Sequence, residues 1–265
     1  MSPCPLDSTR HTQAHARRCA ARRWRATVRP MTPSTSRRGS RAPSTSFGPL
    51  STVRYDVNGV HFDMVRVPPG RFLDGEGPDR RELLVSRPFE IGVTLVTQAL
   101  WRAVMGSNPS EFRGEDRPVE MVSWNGVQQL MAALAARGLP GFRLPTEAEW
   151  AWAARCGVPT RWAGSERADE VAMGDAMQAG VVAGLWGSAV GAFDFSGNVW
   201  EWMSDWHGAP SAGVDLWGPA SAIIRVSRGG GWRSELRYSR IAVRGSFTPG
   251  SRGSTIGVRL LRTTP

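Results

Sequence analysis

From residue 158 to its C-terminus the chain is made of loops rich in Gly and Trp, with only short strand-like pieces such as AIIRVSRGGGW and the closing GVRLLR. A stretch this long without sustained apolar periodicity is uncommon in a compact domain unless it is functional or is held by ions or buried polar contacts. The chain has the means to supply the rest of a core. Its 265 residues are 41% hydrophobic and include 12 Trp, enough to bury one large apolar interior.

The preceding hundred residues read quite differently. From Val53, VRYDVNGVHFDMVRVPPGRF alternates apolar and polar residues about Asn58-Gly59, the pattern of a β-hairpin, so a domain begins near residue 52. LLVSRPFEIGVTLVT (83–97) reads as a further strand region leading into a short helix over QALWRAVMG, ended by Gly106. After Ser123, residues Val127, Leu130, Met131 and Leu134 fall at the spacing of one buried helix face, closed by Gly138. A second well-signalled helix follows in TEAEWAWAARCG, where Thr146 and Glu149 have capping-box spacing and Gly157 lies just past the end. No repeat of fixed period is visible.

Charge is distributed unevenly. All 33 basic residues are Arg; residues 1–50 hold ten of them against the single acid Asp7, while residues 51–265 hold 23 Arg against 22 acids. The domain is therefore nearly neutral and lacks the clustered cations of a nucleic-acid groove. The tail, 1–51, is rich in Ser, Thr, Pro and Arg and is expected to be disordered. Its composition also suits an organelle transit peptide or a translation start further on, at Met31. No run is apolar enough for a membrane span or an ordinary secretory signal, and a cytoplasmic location is expected. Cys4, Cys19 and Cys156 build no disulfide framework, and the four His (His11, His15, His61, His207) show no metal-ligand spacing.

Seven segments, MVRVPPGRF, VTLVTQALWRAVMG, NPSEFRGEDRPVEMVSWNGV, GFRLPTEAEWAWAAR, FDFSGNVWEWMSDW, RVSRGGGWRS and GVRL, resemble the sulfatase-modifying-factor family in its own order, over about 53–262. The resemblance implies the formylglycine-generating-enzyme variant of the C-type lectin fold: an α+β domain over 52–265 with two main helices, small sheets and a pocket in its C-terminal third. The family's copper-dependent oxidases carry two Cu(I)-binding cysteines after an RGGSW motif. Here the motif reads RGGGW, Gly231 replaces its serine, and Ser234 and Ser239 stand at the thiol positions. A hydroxyl is too hard and too weakly acidic to hold Cu(I) in place of a thiolate, so copper is not expected. The family's iron-dependent sulfoxide synthases need an additional helical domain and a His triad, both missing from this sequence.

The resemblance also implies structural Ca²⁺ at SGNVWEW through Gly197, Asn198, Val199 and Glu201, hard oxygen donors that suit this ion. The alternative for Glu201 is a buried acid bonded to backbone amides. A second family calcium site would offer only Asp175. Trp202 and Trp232, with Ser234, Glu235, Arg237 and Ser239, are expected to form an aromatic and polar ligand-binding surface. Trp200 and Trp206 are expected to pack. Arg228, Arg240, Arg244 and Arg259 should pair with acids among Glu147, Glu149, Asp194 and Asp205. No catalytic residue is assigned: Glu149 is explained by its cap, and neither His61 nor His207 is placed beside a serine. The function expected is a protein- or small-molecule-binding module. The alternative is a diverged metal-dependent oxidoreductase or other protein-modifying enzyme using the same groove. A third idea is an accessory domain that docks on a partner, with the Arg-rich tail adding attraction.

Overall fold

The structure, a computed structural model, describes residues 50–263 except 175, 185 and 186, all inside the unit Pro43–Pro265. The readings made for residues 1–49 and for Asp175 lie outside the described residues.

The alternating segment forms β1 (Thr52–Val57) and β2 (Val60–Val67), antiparallel with Val57 opposite Val60. Asn58 and Gly59 turn between them with φ of 54° and 82°, the two left-handed residues that a tight hairpin turn requires. β3 (Gly70–Asp74) and β4 (Arg81–Val85) make a second hairpin. β5 (Phe89–Gly92) leaves it to pair with β2. The single strand region expected over 83–97 is therefore two strands in separate sheets. They are divided near Pro88, a residue that cannot donate to a ladder.

The helices follow their signals. α1 (Gln98–Met105) is capped by Thr97, whose side chain accepts the Leu100 N–H, and ends on Gly106 at φ 75°. α2 (Trp124–Ala136) starts from Ser123 and buries Val127, Leu130, Met131 and Leu134, the face read from spacing. After β6 (Phe142–Arg143), α3 (Glu147–Arg155) has both bonds of its capping box. At its other end Cys156, rather than Gly157, is the first left-handed residue, at φ 42°.

The C-terminal part contributes α4 (Ala168–Val171), β7 (Trp200–Trp206), β8 (Gly213–Val214), β9 (Arg225–Arg228), β10 (Gly245–Phe247), β11 (Ile256–Gly257) and β12 (Leu261–Thr263). Its last strand returns to the first half, giving an antiparallel sheet in the order β1-β2-β5-β12-β6. The other sheets are β10-β9-β7-β11 and β3-β4-β8. One core cluster packs α3 through Trp150 and Trp152 against Phe72, Phe89, Phe195 and Ile241. A second packs α1 and α2 against Trp202, Ile256 and Val258. Each fully buried large side chain contributes about 1.5–3 kcal/mol, so the two clusters form the platform from which the loops project.

Candidate functional site

The segment that follows β9 is assembled from close approaches that only glycine permits. β9 pairs with β7, setting Arg228 opposite Glu201, and the chain then turns on Gly229 and Gly230 at φ 95° and 78°. A Cβ at Gly230 would lie 2.5 Å from the Ser239 hydroxyl and 2.9 Å from its Cα. At Gly231 a Cβ would meet Thr255 and Trp200 at 3.1–3.2 Å, so a serine there would require these neighbours to move.

Beyond the glycines the segment contains a single turn of 3₁₀ helix, Leu236–Ser239. Distant residues hold it. The Trp232 main chain donates to Asn198 O at 2.6 Å and accepts from Ala176 N at 2.8 Å, while its indole donates to Ser254 O at 2.8 Å. The Trp162 indole donates to Leu236 O at 3.1 Å. At the far end Arg240 reaches Glu76 at 2.6 Å, and Ile241 is fixed from both sides, its N–H to Arg161 O and its O from Arg228.

The expected ligand residues divide into two groups. Glu235 and Arg237 are exposed and paired to each other at 3.0 Å, beside Arg233 and Tyr238, with Ser234 half-buried. Ser234 Oγ accepts the Gly231 N–H at 3.2 Å. Trp202, Trp232 and Ser239 point inward. Trp202 is fully buried against Phe247 with its indole N–H spent on Val122 O, so it walls no open groove. Trp232 packs edge-on to Phe112 among Leu95, Ala179 and Val199. Ser239 is completely buried.

Beneath this surface lies a chain of buried ion pairs. Arg259 grips both oxygens of Glu201 at 2.9 Å, the Trp150 indole adds a bond at 2.8 Å, and the remaining guanidinium N–H groups serve Gly92 O and Phe193 O. Both residues are entirely buried. A second group sets Arg228 at 3.0 Å from Asp74 and 3.1 Å from Glu147, with Arg81 on Asp74 and Arg244 bidentate on Glu147. Burial alone would raise the Asp74 carboxyl, but Arg228, Arg81 and Arg155 outweigh it and hold it below its ordinary value. The expected pairing thus holds for Arg244 with Glu147. Arg259 takes Glu201 instead of the acids anticipated, Arg228 takes Asp74 as well as Glu147, and Arg240 takes Glu76. Glu149 pairs with Arg143 at 2.6 Å. Asp205 accepts the Glu147 N–H, and Asp194 accepts that of Ala183.

The fit of the GNVWE motif to calcium is uneven. Glu201 has both oxygens occupied by a guanidinium, which a dication would have to displace. Asn198, left-handed at φ 64°, turns the chain here, and its Oδ1 accepts the Gly180 N–H at 3.1 Å. Close by, burial pushes the Asp194 carboxyl up to about 6, while the Ala183 N–H, Arg259 and the Asn198 amide oppose the rise. Neither Asp194 Oδ1 nor Asn198 Nδ2 has a hydrogen-bond partner of normal geometry. Among the described residues no three His, Cys, Asp or Glu side chains converge as a metal set. Cys156 is buried in the core and its thiol is pushed up to about 11 by that burial.

This small-sheet α+β architecture, with its last strand threaded between strands of the first half, is the formylglycine-generating-enzyme type of C-type lectin fold. Residues 52–264 match the family model described as the sulfatase-modifying factor enzyme 1-like domain, and the chain belongs to that family. It is 30% identical over 260 residues to the chaperone protein LppX of Paenibacillus barcinonensis, across 77% of this chain and 90% of that protein. It is 33% identical over 189 residues to the formylglycine-generating enzyme of Streptomyces coelicolor, across 62% of this chain and 58% of the enzyme's length. Among solved structures, Treponema denticola variable protein 1 superposes with a TM-score of 0.75 at 29% identity, covering 80% of this chain and 99% of that one. No helix among the described residues is long and apolar enough to cross a membrane.

Proposed function

We propose that the chain is a protein-binding module built on the family scaffold, without copper-dependent cysteine oxidase activity. The observation that carries this reading is the state of the two positions where the resembling enzymes place thiols. Ser234 spends its hydroxyl on a backbone N–H of its own loop, and Ser239 is sealed beneath Gly230. Neither offers the soft thiolate that Cu(I) selects, and the raised thiol of Cys156 lies in the core.

The same segment presents Arg233, Glu235, Arg237 and Tyr238 outward, with the Arg237 guanidinium 4.9 Å from the Tyr238 ring. Arg and Tyr are side chains that protein interfaces favour, and a loop anchored at both ends presents them at low ordering cost. The similarity to a protein named as a chaperone supports a protein partner. Formylglycine formation by this chain would need ligands other than thiols at 234 and 239.

The calcium expected at Gly197, Asn198, Val199 and Glu201 enters this proposal with one change: Glu201 stays with Arg259, and the buried Asp194 carboxylate beside Asn198 takes its place as the acidic donor. Its role would be structural, neutralising a buried acid and fixing the bend that receives Trp232. The test of the main reading is the purified protein loaded with Cu(I) and offered a sulfatase-derived cysteine peptide in oxygen. No formylglycine is expected, and its copper-dependent appearance would establish the oxidoreductase alternative.

A further inference from the structure

Where the loop after β3 faces the loop after α3, the surface sinks into a cavity of about 460 Å³. Four arginines, Arg80, Arg155, Arg161 and Arg240, line it against two acids, Glu76 and Glu166. These charges are only partly matched. Arg240 is taken by Glu76 at 2.6 Å, while Arg161 and Glu166 stand 3.8 Å apart with both side chains largely exposed. Arg80 makes no side-chain hydrogen bond or ion pair among the described residues.

Arg155 is the unusual member. Its side chain is 9% exposed, it donates through Nη1 to Thr160 O at 2.8 Å, and it lies 3.7 Å from Asp74. Its Nε has no acceptor. Two further buried atoms of lining residues, Thr160 Oγ1 and Glu76 Oε1, are also without partners. Buried polar atoms are seldom left unpaired, and here a donor, a hydroxyl and an acceptor belong to three residues that line one concavity with excess positive charge. Burial also weakens the cationic form of Arg155, which an incoming anion would restore.

We propose that this cavity binds a small carboxylate with a hydrogen-bond donor next to the carboxylate, of the amino-acid or hydroxy-acid class. The planar guanidinium of Arg80 matches a carboxylate's two oxygens, and the unpaired Nε of Arg155 adds a single further N–H. The ligand's neighbouring N–H or O–H group answers Glu76 Oε1. A phosphate dianion fits less well, because Glu76 and Glu166 stand at the same wall and repel the second charge. A free acid and the C-terminal residue of a peptide, whose last amide supplies the donor, both carry this chemistry. This site is separate from the exposed face at 233–238 and does not depend on the function proposed there.

Isothermal titration of the full chain with L-serine, lactate, a tripeptide with a free C-terminus, the same tripeptide amidated, and inorganic phosphate tests the proposal. Serine and lactate are expected to bind. Binding of the free tripeptide as well would identify a peptide terminus as a source, and its failure to bind would confine the site to free acids. Arg80→Gln and Arg161→Gln, both at exposed positions, should each weaken binding about tenfold, and the near-isosteric Thr160→Val should weaken it measurably. Glu115→Gln, in an exposed ion pair with Arg102 away from the cavity, should leave it unchanged. Failure of every carboxylate to bind, equal binding of the amidated peptide, or tighter binding of phosphate would each overturn the proposal.

Discussion

Helix α2 and the segment 228–240 both follow defined paths, but different forces fix them. α2 satisfies its own backbone and adds an apolar stripe of Val127, Leu130, Met131 and Leu134, so its position follows from a repeating pattern. The segment has one turn of regular structure and owes its path to bonds from residues far away in sequence: Ser254, Trp162, Glu76 and Arg161. A helix surface cannot change freely without altering helix propensity and packing. A loop pinned at its ends leaves the side chains between the pins free to change, which is why binding residues concentrate on such loops.

The sharpest way to break this comparison is to cut a polar anchor and an apolar one and weigh the losses. Arg259→Met leaves Glu201 buried without its cation and should cost about 3–5 kcal/mol in chemical denaturation. Leu134→Ala in α2 should cost about 2–5 kcal/mol through the cavity it opens. A much smaller loss at Arg259 than at Leu134 would mean that the apolar clusters alone order the C-terminal half.

The acid dependence of stability sharpens the comparison further. Asp194 and Asp205 are both raised from 3.8 to about 6 by burial, so the folded protein binds more protons than the unfolded chain between those values. Stability contributed by these groups is therefore lost as pH rises through that window, by about 2–3 kcal/mol for each. Asp74, held low by arginines, acts in the opposite sense and favours folding once pH exceeds the ordinary carboxylate range. Asp194→Asn should flatten the fall between pH 4 and 6 in calcium-free melts. In the wild type, added calcium should raise the melting temperature above pH 6 and do so less in the variant. An identical calcium response in both would remove Asp194 from the proposed ligand set.

Smaller effects are expected at the surface. Thr146→Ala removes one half of the α3 capping box and should cost about 1 kcal/mol. Glu235→Ala and Arg237→Ala break an exposed pair and should change stability by less than about 0.5 kcal/mol, while weakening any partner that uses this face. A large destabilisation from either would show that the segment's outward side chains also carry structure.

Legibility in the sequence follows the same division. The hairpin at Asn58-Gly59, the buried face of α2 and the capping box at Thr146 and Glu149 were readable because each is encoded within a few residues. The fold came from the order of seven short motifs. The partner of Arg259 was not readable: Glu201 lies 58 positions away, and several other acids satisfy the same sequence rule. Trp202 and Trp232 looked suited to a pocket wall by chemical type, yet their direction is set by pairing with Val122 and Ser254, which no local spacing reports. The polar cavity at Arg155 was missed because its wall joins residues near 76, 160 and 240, and arginine is common throughout this chain.

On the function proposed here, the segment after β9 positions a binding face in place of a copper centre. This is tested most directly by competitive titration of Cu(I) against a chromophoric chelator, using the wild type and Ser234→Cys/Ser239→Cys side by side. The expected result is no stoichiometric high-affinity copper in the wild type and its gain in the double variant, whose new thiols occupy the family's positions. One tightly held Cu(I) per wild-type chain would contradict the account.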